Sequence, residues 1–200
     1  YYLQQRSSSH HHYHTLIMIN FNEFDLKKIF GISKGTEGMK RNQTKFVRAE
    51  IFEEGMEEYS NEQLHYVGDT VNGADFVDKD GVFYESKGMD GMFSKRKHNN
   101  TQTKSIVLKN FRKQATKIDQ TFSYMLLWDT KSYSFGWCTW DACKKNLVIN
   151  GATATTCVDL SDITMIAENV EPEDMGDFDA EFQKLKQKFL KGELSKVKNS

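Results

Sequence analysis

No apolar run in the 200-residue chain approaches the roughly 18 residues that span a bilayer as a helix, and no secretory signal is visible. A membrane partner is therefore not expected, and a cytoplasmic location is. Cysteine is scarce. Cys138, Cys143 and Cys157 form an odd, sparse set that reads as reduced, partly buried thiols. A zinc site would want a fourth ligand and closer pairing than Cys138-x4-Cys143 offers. Proline occurs once, and no internal repeat is evident. Net charge is almost absent, at −1, but that small figure conceals a segregation of sign along the chain.

What is present is the composition of a folding sequence, 38% hydrophobic and 12% aromatic. The length suits one domain with a sizeable core, and two would be cramped. Residues 1–17, YYLQQRSSSHHHYHTLI, hold four of the six histidines, His10, His11, His12 and His14. They read as a non-native tag or linker rather than a metal site, with the fold expected over residues 18–200.

Asn20 to Ile32 reads as a short helix, and Met39 to Tyr59 as a second, with Ala49, Phe52, Met56 and Tyr59 at helical spacing. Leu64 to Val67 reads as a strand. Phe76-Val77 and Val82 to Tyr84 flank the turn Lys79-Asp80-Gly81, a β-hairpin pattern. Lys104 to Ile118 is expected to be a helix burying Ile106, Val107, Leu108, Phe111 and Ala115. Thr121 to Trp128 and Tyr133 to Trp140 read as an apolar strand pair. Asp141 to Asn146 follows as a helical turn, 147–176 as irregular or strand-like chain, and Asp177 to Leu190 as a charged helix. Helices, hairpin, helix and strand pair in that order predict an α/β fold with a central mixed β-sheet flanked by helices.

The hairpin carries the chemistry. Alternate strand residues share a face, so Glu85 and Lys87 point the same way, and Asp75 arrives beside Glu85 if the register allows. Two neighbouring carboxylates repel unless a cation separates them. A hard divalent ion such as Mg²⁺ takes oxygen ligands and keeps several waters. It can polarise a phosphoryl oxygen and activate water. An ordinary cross-strand Glu–Lys pair on a surface hairpin is the plain alternative. The chain that follows weighs against it. From Gly91 to Ile118 there is no acidic residue, while Lys95, Arg96, Lys97, Lys104, Lys109, Arg112, Lys113 and Lys117 are all basic, as a polyanion-binding surface should be.

The stretch Gly73, Asp75, Val77, Asp78, Gly81, Tyr84, Glu85 and Lys87 resembles the catalytic hairpin of the PD-(D/E)-x-K nuclease superfamily. More narrowly, it matches without a gap the G-x-D-x-V-D-x-x-G-x-x-Y-E-x-K string of PvuII-type type II restriction endonucleases. Ala74 stands where the superfamily has proline. The resemblance implies a restriction-endonuclease-like core with Asp75 and Glu85 as ligands for one or two Mg²⁺ ions and Lys87 as catalytic lysine. It further implies site-specific hydrolysis of double-stranded DNA by a homodimer, each subunit cutting one strand.

Around that centre, acids of the second helix, Glu50, Glu53, Glu54, Glu57 and Glu58, are candidates to join, and Glu50, at the edge of the apolar face, is the accessory acid selected. Asp78 reads as a turn residue. For DNA, Lys95, Arg96, Lys97 and Lys104 are expected on phosphates, with His98, Asn99, Asn100 and Gln102 matched to base edges. Lys109 and Lys113, with Lys117, would line one helix face along the phosphate backbone. Asn20 to Tyr59 is available for dimer contacts. Two other readings stay open: a structure-selective resolvase or repair nuclease with the same hairpin, and a non-catalytic nucleic-acid-binding module.

Overall fold

The computed structural model describes residues 19–39, 45–68, 74–94, 97–98, 101–102, 105–112 and 122–193. The expected tag, residues 1–17, lies outside them.

The first expected helix is real but begins later. A 3-10 turn over Phe21–Glu23 precedes helix α1, Leu26–Gly35, whose N-cap Asp25 accepts from the Lys28 amide. Helix α2 is Lys45–Glu58. It lacks a clean polar face because it is packed on two sides. Met56 joins the core against the sheet, while Val47 and Ile51 pack with Ile32 of α1.

Three short or medium strands follow: β1 (His65–Tyr66), β2 (Phe76–Val77) and β3 (Phe83–Met89). After the small hairpin of β4 (Lys97–His98) and β5 (Thr101–Gln102) comes β6, Ser105–Arg112. This corrects the helix expected over Lys104 to Ile118. Its described part is a strand, paired antiparallel with β10, which spans Thr153–Asp159. Ile106, Val107 and Phe111 are β-branched or aromatic, and a short apolar run does not by its spacing tell strand from helix. The long-range partner decided. The expected alignment of Lys109, Lys113 and Lys117 on one helix face falls with it: Lys109 lies in β6, and Lys113 and Lys117 lie outside the described residues.

The apolar pair is β7 (Tyr124–Asp129) and β8 (Ser134–Thr139), followed by the short helix α3, Trp140–Lys144, capped by Thr139. Chain 147–176 supplies β9 (Val148–Asn150), β10 and β11 (Thr164–Ala167), and helix α4 closes the fold at Asp179–Leu190.

Six strands form a central mixed sheet in the order β1-β2-β3-β7-β8-β11. Among the described strands only β3 and β7 run parallel, with Glu85 beside Met125 and Lys87 beside Leu127. A parallel pair needs a crossover, and residues 90–123 make it. A second, antiparallel sheet, β6-β10-β9, lies in that crossover and beyond it. One core packs Phe30, Met56, Tyr84, Leu126, Trp128 and Phe135 on the helix side of the central sheet. Another gathers Leu108, Phe122, Met125, Leu127, Cys138, Trp140 and Val158 on the other side. Helix α4 buries Phe182 and Leu185 against Val47 and Ile51. The expected free thiols are found: all three are unbridged, with Cys138 and Cys143 buried. No helix among the described residues is long and apolar enough to cross a membrane.

Candidate active site

The β2–β3 hairpin positions the three residues the sequence singled out. Phe76 pairs with Tyr84 and Val77 with Phe83. Extending that register by one residue sets Asp75 opposite Glu85. Asp75 is held at three points: its amide donates to the Tyr84 carbonyl (2.9 Å), its carbonyl accepts from Val67 (2.8 Å), and its Oδ2 accepts from the Ser86 amide (2.9 Å). It is 5% exposed. Glu85 and Lys87 do share a face: Lys87 Nζ lies 3.3 Å from a Glu85 oxygen, with the side chains 24% and 16% exposed respectively. Ser86 points the other way, its hydroxyl 3.8 Å from the sulfur of Met56 on α2. Strand alternation thus separates the charged pair from the helix-side core.

Asp78 is the turn residue it was read to be. Its Oδ1 accepts from the Asp80 and Val82 amides, and its Oδ2 accepts from the Tyr84 hydroxyl at 2.8 Å. Burial, followed by that bond to Asp78, pushes the Tyr84 phenol far above its ordinary pKa, so it stays a donor.

The helix acids are sorted by the structure. Glu50 accepts from the Tyr66 hydroxyl at 2.8 Å, and Glu57 accepts from the Tyr66 amide. Glu53 is the most enclosed of them, 6% exposed. Burial first, then the charges of Glu53 and Glu50, the hydrogen bond to Glu50 and the charge of Asp75, drive the Tyr66 phenol far above the tyrosine range. Tyr66 therefore marks where helix α2 brings its acids toward Asp75. Glu50, Glu53 and Glu57 are spaced three and four apart, one helix face, and that spacing was visible in the sequence. Tyr66 was not: nothing in a four-residue strand pattern tells which side chain will meet the acids.

Asp129, at the end of β7, was also missed. Its carboxylate accepts from four backbone amides, those of Gly91, Phe93, Lys131 and Ser132, at 2.9–3.1 Å. Burial alone would raise its pKa, but the four donors outweigh that and hold it below the ordinary carboxylate value. Asp129 clamps the turn that leaves β3 two residues beyond Met89 to the turn that leaves β7.

Among the described residues no cluster of three or more His, Cys, Asp or Glu side chains is arranged to hold a metal ion. Mg²⁺ asks for less: one or two carboxylates, with waters and substrate phosphates completing its shell. Asp75 opposite Glu85, with an ammonium alongside, fits that hard-oxygen demand.

The residues expected on DNA are only partly placed. Lys97 and His98 are in β4, Gln102 is in β5 facing Lys97 across the ladder, and Lys109 is in β6. Lys95, Arg96, Asn99, Asn100, Lys104 and Lys113 lie outside the described residues.

Comparison of the chain with protein-family models, with curated proteins and with solved structures gives no match in any of the three.

Proposed function

We propose that the protein is a Mg²⁺-dependent endonuclease that cuts double-stranded DNA at specific sites, in the manner of the PvuII-type type II restriction endonucleases its hairpin resembles, and that it acts as a homodimer on a two-fold symmetric site. The observation that carries the reading is the geometry of one hairpin: Asp75 opposite Glu85, and Lys87 Nζ 3.3 Å from Glu85. A mixed sheet in which β3 pairs parallel with β7, with α2 bringing acids toward Asp75, supports it.

In this reading Asp75 and Glu85 hold the cation. When bound, Mg²⁺ supplies Lewis-acid polarisation of the phosphate and a more acidic water. Lys87, fixed by Glu85, sets a positive charge where the phosphate becomes more negative. The acid-free segment from Gly91 to Ile118 draws the polyanion.

Incubation with plasmid DNA and Mg²⁺ tests it. Discrete fragments are expected. Cleavage confined to junctions or flaps would replace site specificity by structure selectivity, and a mobility shift without cleavage would leave only a binding module.

A further inference from the structure

The central sheet ends at β11, and the outer edge of that strand is open. β7 and β8 separate it from the catalytic hairpin, and among the described residues no backbone hydrogen bond reaches β11 from its far side. An unpaired edge is a template for one more strand, and native proteins blunt or cover it. Here the blunting is partial: the strand is four residues long, and its register slips between Met165 and Ala167. Met165 is 37% exposed, and Ile166 and Ala167 are half-buried.

Beside this edge lies an open groove of about 550 Å³, with Ile166, Ala167 and Val170 on one side and residues 21–27 on the other. Its apolar floor is preformed. Phe21 and Phe24 are buried and braced by Phe135, with ring centres 5.3 and 6.3 Å away. The groove is large enough for a side chain from an added strand, and Met165 at its margin is the flexible kind of residue that adapts to what it meets.

Charge decides what belongs there. From Asn146 to Gln183 the chain has no Lys, Arg or His. β11 lies within that stretch and runs into a strap on which Glu168, Glu171, Glu173, Asp174 and Asp177 are exposed. None of these five forms an ion pair among the described residues. The strap is held in place: the Val170 amide donates to the Tyr133 carbonyl at 2.9 Å, and the Glu173 amide to the Lys27 carbonyl at 3.0 Å. Its carboxylates therefore stand at set positions beyond the end of β11. In the groove, Glu23 and Asp25 outweigh Lys27. A polyanion is repelled from this surface. So is the β11 edge of a second copy, which would bring the same acids against these. A basic strand is attracted.

We propose that the β11 edge and its groove receive an extended, basic segment of a partner protein by strand addition. The main chain of the segment pairs with β11, an apolar side chain enters the groove over Phe21 and Phe24, and lysine or arginine side chains reach Glu168 and Glu171. Alternate residues of a strand share a face, so the segment alternates apolar and basic residues. This surface is separate from Asp75, Glu85 and Lys87 and does not depend on the endonuclease reading.

The test is fluorescence anisotropy of the full chain with a labelled peptide of alternating valine and lysine. It should bind at least about tenfold more tightly than the valine–glutamate peptide, a difference of about 1.4 kcal/mol. It should also bind more tightly than its own copy N-methylated along the backbone, which keeps the charge and loses the ladder. Hydrogen exchange of the β11 amides should slow when the peptide is bound. Met165→Lys, which places a cation at an exposed edge position, should abolish binding while leaving circular dichroism and plasmid cleavage unchanged. Should that variant misfold, Glu168→Lys with Glu171→Lys, both at exposed positions, gives the same reading. Asp75→Ala should bind the peptide as the wild type does. No binding, equal binding of the acidic or N-methylated peptide, or unchanged exchange at β11 each overturns the proposal. Self-association of the chain that Met165→Lys abolishes would also overturn it, by giving the edge to a second copy.

Discussion

The two faces of the central sheet are built for different ends. On the helix side the packing is aromatic and continuous. Trp128 stacks on Phe135 at 3.9 Å, Phe30 and Phe52 stand edge-on to Trp128, and Tyr84 stacks on Tyr124. On the other side one aromatic pair, Phe122 edge-on to Trp140, sits among smaller and softer residues, Met125, Leu127, Cys138, Cys143, Ala142 and Ala154, and there β3 turns out Glu85 and Lys87, neither fully enclosed. One strand serves both faces by alternation: Tyr84 and Ser86 go to the helices, and Glu85 and Lys87 to the reaction the site is proposed to perform. A stable face braces a reactive one, and substitutions should separate the two.

The largest separation is expected at the charges. Lys87→Ala or Asp75→Ala should lower Mg²⁺-dependent cleavage by about a thousandfold or more, about 4 kcal/mol of transition-state stabilisation, with DNA binding retained. Lys87→Ala should barely move the melting temperature, while Asp75→Ala also takes the acceptor from the Ser86 amide and should cost about 1–3 kcal/mol. Near wild-type cutting by either variant would remove the assignment. The converse substitution, Trp128→Ala, should cost about 3–5 kcal/mol of stability, the usual penalty for emptying a buried aromatic site. A denaturant titration reads it directly. If Trp128→Ala proves mild, the helix-side face is not the brace described.

Asp129 ties the faces together at one end. Asp129→Ala leaves four part-buried amide hydrogen bonds without their acceptor and should cost about 2–4 kcal/mol. The sign of the pH effect follows from its lowered pKa. The carboxylate stabilises the fold fully above the ordinary Asp value of about 3.9, and that contribution is lost as pH falls through the lower folded-state pKa. Asp129→Asn should therefore flatten the acid limb of a stability profile below about pH 4. An unchanged limb would show that other carboxylates control acid unfolding.

Gly31 offers a smaller effect in which two influences oppose each other. Alanine at a helix position gains about 1 kcal/mol over glycine. A Cβ there would come within 2.4 Å of the Glu173 carbonyl and 2.5 Å of Met175 Cγ, in the strap whose Glu173 amide donates to Lys27. Overpacking against backbone costs about 1–3 kcal/mol, so Gly31→Ala should lower stability despite the better helix former. Smallest of all, Tyr66→Phe removes one hydroxyl bond to Glu50 and should cost about 0.5–1.5 kcal/mol. A stability gain would mean that the acids around Tyr66 strain it.

The hairpin was readable because its information is local. The turn Lys79-Asp80-Gly81, the flanking apolar pairs and the i, i+2 relation of Glu85 to Lys87 all lie within fifteen residues, and the 3.3 Å contact follows from alternation alone. Strands β7 and β8 were readable because every residue of Tyr124–Asp129 is buried and all but the final Asp129 form one apolar run. The misreading of Lys104 to Ile118 has the opposite cause: β6 owes its form to β10, more than forty residues on, and no window over the segment contains that partner. Asp129 was opaque for the same reason. Two of its four donors, Gly91 and Phe93, come from 38 and 36 residues earlier.

The crossover between β3 and β7 also orders events in time. Asp75 and Glu85 are ten residues apart on one hairpin, and so short a loop closes at little entropic cost. The parallel partner of β3 must wait for a chain of more than thirty residues to return, the slow kind of contact. The charged triad is thus expected to take shape early, on a strand whose other edge still lacks its neighbour. During that interval the nascent chain presents an unpaired, half-apolar strand edge, the surface most open to mispairing with another molecule, and it is β7, arriving late, that withdraws it.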